Sequence, residues 1–149
     1  MKLDFRLFME NLQKSTSYWI SPRGEIMSVD ERHIEAVVRT PEKFGFTKER
    51  LADIFSRHKE SPNQEGDARN EIITEIMNNG WIRIRKNNRP DRWHIQTSAI
   101  NHSFYKRLQE WAWQMIDSGL AYANEEIYIL PLQGNSSVVS FQDLIRQAA

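Results

Sequence analysis

Residues 79–97 read NGWIRIRKNNRPDRWHIQT, and this stretch decides the fold. On both sides of its polar centre, apolar and polar side chains alternate with a period of two, which is typical of β-strands that bury one face. The stretch therefore predicts a two-stranded β-ribbon. Pairing apolar with apolar positions puts four side chains on the core side of this ribbon: Ile82, Ile84, Trp93 and Ile95.

The opposite side and the tip of the predicted ribbon are strongly basic. From 83 to 92 the chain has five basic residues and one acidic residue, which gives a local charge of +4. Because arginine forks match phosphate oxygens, the ribbon is a candidate surface for a nucleic-acid backbone, with these contact residues: Arg83, Arg85, Lys86, Arg89 and Arg92. Trp81 lies on the same side, where it is placed to stack on a base or contact a partner.

A second interpretation of the ribbon needs no ligand. Charged side chains are common on the solvent-exposed face of a hairpin. In this neutral protein, the arginines can pair with acidic residues elsewhere in the chain. In either interpretation, we expect Arg83, Arg85 and Arg92 to be exposed.

Apolar spacing and capping residues predict helices over much of the remaining chain. Three precede the ribbon, at about 30–39, 47–59 and 67–79, and a long one runs from Ser98 to Gly119. Shorter helices are expected at the C-terminus, where Ser140 and Asp143 resemble a capping box, and at the N-terminus, on these apolar residues: Leu3, Leu7, Phe8 and Leu12.

Two further stretches predict strands. SYWISPRGEIMSV (17–29) predicts a second hairpin that turns at Pro22 and Gly24, and IYILPL (127–132) predicts a strand at a sheet edge because it contains Pro131. We therefore predict an α+β fold: a helix-rich single domain over 1–149 with two small β-hairpins.

Three helices followed by a ribbon resemble a winged-helix domain over about 30–97, with 98–149 as a C-terminal helix–strand–helix extension. In that family the third helix enters the major groove of DNA and the ribbon forms the wing. The third helix here has a charge of −2, from Asp67, Glu71 and Glu75 against Arg69, so DNA would repel it. The resemblance therefore implies contact through the wing, or a scaffold that binds protein.

A second resemblance is closer in sequence. The stretches YWISPRGEIMSVDERHIEAVV with PEKFGFT, and EGDARNEIITEIMNNGWIRIR with RWHIQ, resemble small uncharacterised proteins encoded by tailed bacteriophages, including marine ones. The resemblance covers about 18–97. It implies a phage or environmental origin, an accessory role and a place in the cytoplasm of an infected bacterial host, and it assigns no activity to any residue.

Composition and missing motifs argue against most function classes. The 20 basic and 20 acidic residues give zero net charge, so any nucleic-acid role must rest on local charge. The chain has no cysteine, which removes disulfides, thiolate zinc sites and cysteine nucleophiles. The sequence also lacks the glycine-rich motifs that bind nucleotides, the GxSxG motif of serine hydrolases and the EF-hand calcium-binding loop. It has no apolar run long enough to span a membrane. We expect a non-enzymatic protein without catalytic residues, cofactor, metal or membrane contact.

The histidines add little chemistry to this picture. None of the four has the spacing of a metal site such as HExxH; they are His33, His58, His94 and His102. His58 continues an apolar helical stripe, which is typical of a packed histidine. His94 and His102 lie near Arg92 and Tyr105, a weak indication of acid–base chemistry because no carboxylate is paired with them.

Trp113 is the second candidate partner-binding residue, beside Trp81. Trp111 continues the apolar stripe of the long helix, and two residues correspond to about 200° of rotation, so Trp113 points into a second layer or towards a partner. Two hypotheses therefore stand. The basic ribbon favours a nucleic-acid binder, whereas the neutral charge and acidic third helix favour a protein-interaction module, such as a homodimer or an inhibitor of a host factor.

Overall fold

The computed structural model describes residues 17–29, 31, 34–88 and 91–147. Its strands are β1 (Ser17–Ile20), β2 (Ile26–Val29), β3 (Ile82–Asn88), β4 (Asp91–Thr97), β5 (Glu126–Pro131) and β6 (Ser137–Ser140). Its helices are α1 (Glu35–Arg39), α2 (Lys48–Arg57), α3 (Gln64–Asn78), α4 (His102–Asp117) and α5 (Phe141–Gln147), with a 3-10 helix over Pro41–Phe44. The predicted N-terminal helix, His33 and Arg89 lie outside these residues.

The six strands form one sheet in the order β2-β1-β3-β4-β5-β6. All neighbouring strands are antiparallel except β4 and β5, which are parallel. The two predicted hairpins are present, but β1 pairs with β3, so they join into this sheet and the description as helix-rich fits only loosely. The winged-helix-like core is not confirmed, because the base of the ribbon β3–β4 lies in the middle of the sheet, between β1 and β5.

One face of the sheet, called here the core face, packs against α4 and α5. The predicted inward set of the ribbon is confirmed, since each of these side chains is 0% exposed: Ile82, Ile84, Trp93 and Ile95. Trp93 meets Trp111 of α4 edge to face, with ring centroids 5.3 Å apart. The apolar stripe predicted for the long helix supplies the opposite wall, through Phe104, Leu108, Trp111 and Met115. Ile100, predicted in the same stripe, precedes the helix and is 37% exposed.

The other face of the sheet carries a second apolar cluster at its β1–β2 end. Trp19 of β1 and Trp81, which immediately precedes β3, pack there with side chains of α1, the 3-10 helix, α2 and α3. Trp81 stacks on Phe44 with ring centroids 4.9 Å apart. Trp81 was predicted on the exposed side of the ribbon, and this is wrong: the alternation places it on the correct face, but helices cover that face, leaving the side chain 3% exposed.

Hydroxyl groups cap two of the helices, and one of them belongs to the predicted capping residue Ser140. The Thr47 hydroxyl accepts from the Arg50 amide at 3.0 Å at the start of α2, and the Ser140 hydroxyl accepts from the Asp143 amide at 3.0 Å at the start of α5. The long helix begins later than predicted, because Asn101 caps it by accepting from the Phe104 amide. Gly80 follows α3 with a φ of 97°, in the left-handed region that favours glycine.

Two local predictions are wrong. The third helix begins at Gln64, not at 67, which puts Asp67 within its first turn, where the Ser61 hydroxyl donates to it. The strand that contains Pro131 is not at the sheet edge, because the unpredicted β6 pairs with β5. Proline is tolerated there because it ends the strand, and the amide of Leu132 donates to the Thr97 carbonyl at 2.8 Å.

Arg107 of α4 holds three elements together. Its Nη1 donates to the Ser21 carbonyl at 2.9 Å, in the β1–β2 turn, and to the Gly80 carbonyl at 2.8 Å, between α3 and β3. Burial lowers the pKa of Arg107 from its ordinary value. The guanidinium thereby satisfies turn carbonyls and links both helical layers across the sheet.

We predict that the two tryptophans of α4 differ strongly in their contribution to stability. Trp111 is 1% exposed and packs against Trp93, whereas Trp113 is 54% exposed. Trp111→Ala should lower the free energy of unfolding by about 3–5 kcal/mol, and Trp113→Ala by less than about 1 kcal/mol. Urea denaturation of the matched pair measures this, and equal losses would show that both sides of α4 are buried.

Candidate functional site

The basic side chains of the ribbon lie on the sheet face opposite the core face. Beyond the cluster around Trp19 and Trp81, this face presents a group of half-buried side chains, called here the arginine face: Arg83, Arg85, Arg92, His94, Gln96 and Tyr128. Strand register sets their order, since Arg85 lies opposite His94, His94 opposite Tyr128 and Tyr128 opposite Val138. A row of side chains therefore crosses β3, β4, β5 and β6.

Arg83 is committed to an internal ion pair. Its Nε donates to Oε2 of Glu31 at 2.7 Å, its Nη2 donates to Oε1 of the same carboxylate, and its Nη1 donates to Oε1 of Gln96 at 2.7 Å. The Trp19 indole also donates to Glu31, at 2.9 Å. The side chains of Arg83 and Glu31 are only 15% and 11% exposed. The prediction that Arg83 is exposed is therefore wrong, and its guanidinium is not free for a phosphate.

Among the described residues, Arg85 has no such carboxylate of its own. Its Nε is buried and has no hydrogen-bond partner among the described residues. Burial and the neighbouring positive charge of Arg83 lower the pKa of Arg85, and the charge of Glu31 acts in the opposite direction. Arginine nevertheless stays charged at neutral pH, so Arg85 is a half-buried cation with an unsatisfied donor. The ribbon pattern predicted that Arg85 is exposed, and this is wrong because the side chain is half-buried.

Arg92 extends the positive charge along β4, and His94 lies beside it on the same face. The Arg92 guanidinium carbon lies 4.7 Å from the Tyr128 ring centroid. The His94 ring stacks on the same Tyr128 ring, with centroids 5.6 Å apart and an angle of 21° between the ring planes. Burial, Arg85 and Arg92 together lower the pKa of His94. The neutral imidazole is therefore favoured, first by burial and then by the two neighbouring positive charges.

The predicted phosphate-binding set does not lie on one surface. Lys86 alternates to the other side of β3, where its ammonium is 5.1 Å from the Trp93 ring centroid, and Arg89 is outside the described residues. With Arg83 held by Glu31, the structure leaves Arg85 and Arg92 together on the arginine face. Sequence reasoning missed Tyr128, although alternation in EIYILP places it opposite the buried Ile127 and Ile129.

The acidic charge of α3 is explained by contacts with α2. Arg57 Nη1 lies 2.7 Å from Glu71, and Arg50 Nη2 lies 2.8 Å from Glu75. His58, predicted to be a packed residue, is partly buried with Nε2 3.2 Å from Glu71. Burial alone would raise the pKa of Glu71, but hydrogen bonds from Arg57 and His58 outweigh burial and lower it. These carboxylates stabilise helix packing.

A groove of about 490 Å³ lies among α1, α2 and α3. It is partly apolar, with Val38 and Phe55 exposed at its surface. Its charged lining is balanced, with two acidic and two basic residues: Glu35, Glu65, Arg39 and Arg69. Unlike the arginine face, this groove has no excess of one charge that would select an anion.

Other classes of site find no support in the described part of the chain. No group of three or more histidine, aspartate or glutamate side chains there could hold a metal ion. No helix in the same residues is long and apolar enough to cross a membrane. His102 is an exposed residue at the start of α4. Comparisons with protein-family models, curated proteins and solved structures found no match to this chain.

We predict that the Glu31–Arg83 pair is essential for stability. Glu31→Ala leaves a largely buried guanidinium and the Trp19 indole without their acceptor, so the free energy of unfolding should fall by about 3–5 kcal/mol. The matched control is Glu35→Ala, which removes an exposed carboxylate 3.7 Å from Arg39 and should cost about 0.5 kcal/mol or less. Adding Arg83→Ala to Glu31→Ala should cost less than the two separate losses combined. Additive losses in denaturation would contradict the pairing.

We also predict that Arg85 holds the pKa of His94 down. Arg85→Gln removes a like charge, so the pKa of His94 should rise, whereas Lys106→Gln on the exposed side of α4 should leave it unchanged. NMR titration of the imidazole protons measures both values. Because the folded pKa lies below the ordinary value of 6.5, His94 costs stability as pH falls below about 6.5, and Arg85→Gln should reduce this loss. An unchanged His94 pKa in Arg85→Gln would contradict the shared field.

Proposed function

We propose that this protein is a non-enzymatic binder of nucleic acid that contacts the phosphate backbone through the arginine face. The observation that carries the proposal is Arg85, a half-buried cation whose buried Nε has no hydrogen-bond partner among the described residues. A buried donor without an acceptor is costly. A phosphate against the accessible part of the Arg85 guanidinium supplies the missing negative charge.

Neighbouring groups support an anionic ligand at this position. Arg92 and His94 lie on the same face, and no ion pair between Arg85 or Arg92 and a carboxylate occurs in the part of the chain that the structure describes. An arginine guanidinium can donate two parallel hydrogen bonds to the oxygens of one phosphate. The expected backbone contacts are therefore two, Arg85 and Arg92, in place of the five that the sequence indicated.

The resemblance over about 18–97 to tailed-phage proteins suggests where such binding would act. We propose an accessory role in the cytoplasm of an infected bacterial host. The neutral overall charge fits a local contact, because a protein with a general basic excess would bind polyanions over its whole surface.

A protein partner is the second candidate function, and Trp113 favours it. This side chain is 54% exposed on α4, on the side away from the stripe that packs on the sheet. Large exposed aromatic side chains are common anchors of protein interfaces. A second copy of the chain or another protein could contact this side of α4 without using the arginine face, whereas Trp81 is buried and unavailable for such contact.

The proposed function predicts salt-dependent binding with a shallow slope. Two phosphate contacts should give a slope of log affinity against log salt of roughly −1.5 to −2, because each contact releases condensed counterion. The double variant Arg85→Gln/Arg92→Gln should weaken binding and flatten the slope towards zero. Fluorescence anisotropy with labelled oligonucleotides at low and rising salt measures both quantities.

The matched control for this experiment is Lys48→Gln/Lys106→Gln, which also removes two positive charges, from exposed positions on α2 and α4. It should retain the affinity and slope of the unchanged protein. If both double variants lose the same affinity, binding depends on overall charge and not on the arginine face. If the unchanged protein binds no oligonucleotide at low salt, the proposed function is wrong.

A further inference from the structure

We propose that the arginine face takes single-stranded nucleic acid, with a base stacked against Tyr128 and the backbone phosphate held by Arg85 and Arg92. This inference rests on the proposed function and specifies its substrate class. Three features of the structure carry it: the central position of the ribbon, the aromatic character of β4 and β5 on this face, and the order of side chains across the strands.

The position of the ribbon argues against insertion into a duplex. The major groove, about 12 Å wide, admits a helix or a two-stranded ribbon. Here β1 pairs with β3 at Ile82–Ile84 and β5 pairs with β4 at Trp93–Thr97, so the base of the ribbon is part of a six-stranded sheet, whereas its tip extends beyond β1 and β5. At about 4.8 Å between strands, the six-stranded part is roughly 24 Å across and cannot enter the groove, and Tyr128 lies in that part.

The helix that a winged-helix domain would use is also unsuited to a duplex. Two carboxylates of α3, Glu71 and Glu75, are paired with arginines of α2. These ion pairs hold α3 against α2. The charged side chains of α3 are mostly acidic, so α3 offers no basic surface to a phosphate backbone. Among the residues that the structure describes, the arginine face itself remains as the candidate surface.

The aromatic groups on this face match the needs of an unpaired base. Tyr128 and His94 lie nearly parallel, at 21°, and the guanidinium carbon of Arg92 is 4.7 Å from the Tyr128 ring centroid. Val138, which is 52% exposed, lies opposite Tyr128 on β6 and continues the row as an apolar surface. Single-stranded nucleic acids are recognised by bases that stack on aromatic side chains and arginine planes along an open sheet.

The order across the strands places phosphate and base sites side by side. Arg85 lies on β3, His94 opposite it on β4, and Tyr128 opposite His94 on β5. Two strand spacings separate the Arg85 and Tyr128 backbones by about 10 Å. This distance suits the phosphate and base of neighbouring nucleotides, so one strand can lie across β3, β4 and β5 with its backbone towards the arginines.

The test compares ligands on the full chain before it uses any variant. The probes are a short single-stranded DNA, the RNA of the same sequence, the corresponding DNA duplex, and an abasic single strand with the same number of phosphates. We expect the base-containing single strands to bind about tenfold more tightly than the abasic strand, the scale of one base stack, and more tightly than the duplex. A preference for RNA or DNA identifies the sugar, and either preference supports the inference.

Variants of Tyr128 locate the stack. Tyr128→Phe keeps the ring and should bind like the unchanged protein, whereas Tyr128→Leu keeps apolar bulk without the ring. Tyr128→Leu should lose about tenfold in affinity for the single strand and nothing for the abasic strand. Thermal unfolding of both variants controls for folding, and the comparison of ligands on the unchanged protein stands even if Tyr128→Leu fails to fold.

The outcomes separate this inference from the proposed function. If the abasic strand or the duplex binds as tightly as the single strand, with binding still dependent on Arg85 and Arg92, the stacking inference is wrong and the proposed function stands. Retention of full single-strand affinity by a folded Tyr128→Leu would also overturn the inference. Binding of none of the four probes at low salt overturns the proposed function itself.

Discussion

The ion pair between Glu31 and Arg83 connects the two halves of this structure. Its carboxylate lies between β2 and α1, near the start of the helical layer, while its guanidinium lies on a central strand of the sheet. Because both side chains are largely buried, each is stable there only in the presence of the other. The pair also sets up the charge on the arginine face: one carboxylate serves Arg83, and the adjacent Arg85 is left with an incomplete set of contacts.

The sequence predicted those parts of the fold that depend on neighbouring residues. Period-two alternation in the ribbon and the apolar stripe of α4 correctly identified the buried side chains, because each pattern is read within a single element. The sheet order could not be predicted in this way. The β1–β3 and β4–β5 pairings join strands separated by whole helices, and no local pattern in the chain specifies which strands become neighbours.

The candidate site was predicted only in part, for a related reason. Alternation correctly assigned Arg83, Arg85 and Trp81 to one side of β3, but it carries no information about what covers that side. The helical layer buries Trp81, and Glu31 pairs with Arg83 from a distant part of the sequence. Lys86 also follows the alternation and faces away from the arginines. Only the assembled sheet brings Tyr128 beside His94.

The pairing of β1 with β3 has a consequence for how the chain reaches its native state. Tyr18 and Ile84 lie opposite each other in the register. The segment of chain between them contains the helical layer formed by α1, α2 and α3. Closing a loop of this length carries an entropy cost that must be met before the contacts between β1 and β3 contribute. Folding rates fall as contacts become more distant in sequence. Early formation of α2 and α3, whose contacts are local, would shorten the effective loop and bring the two hairpins within reach of each other.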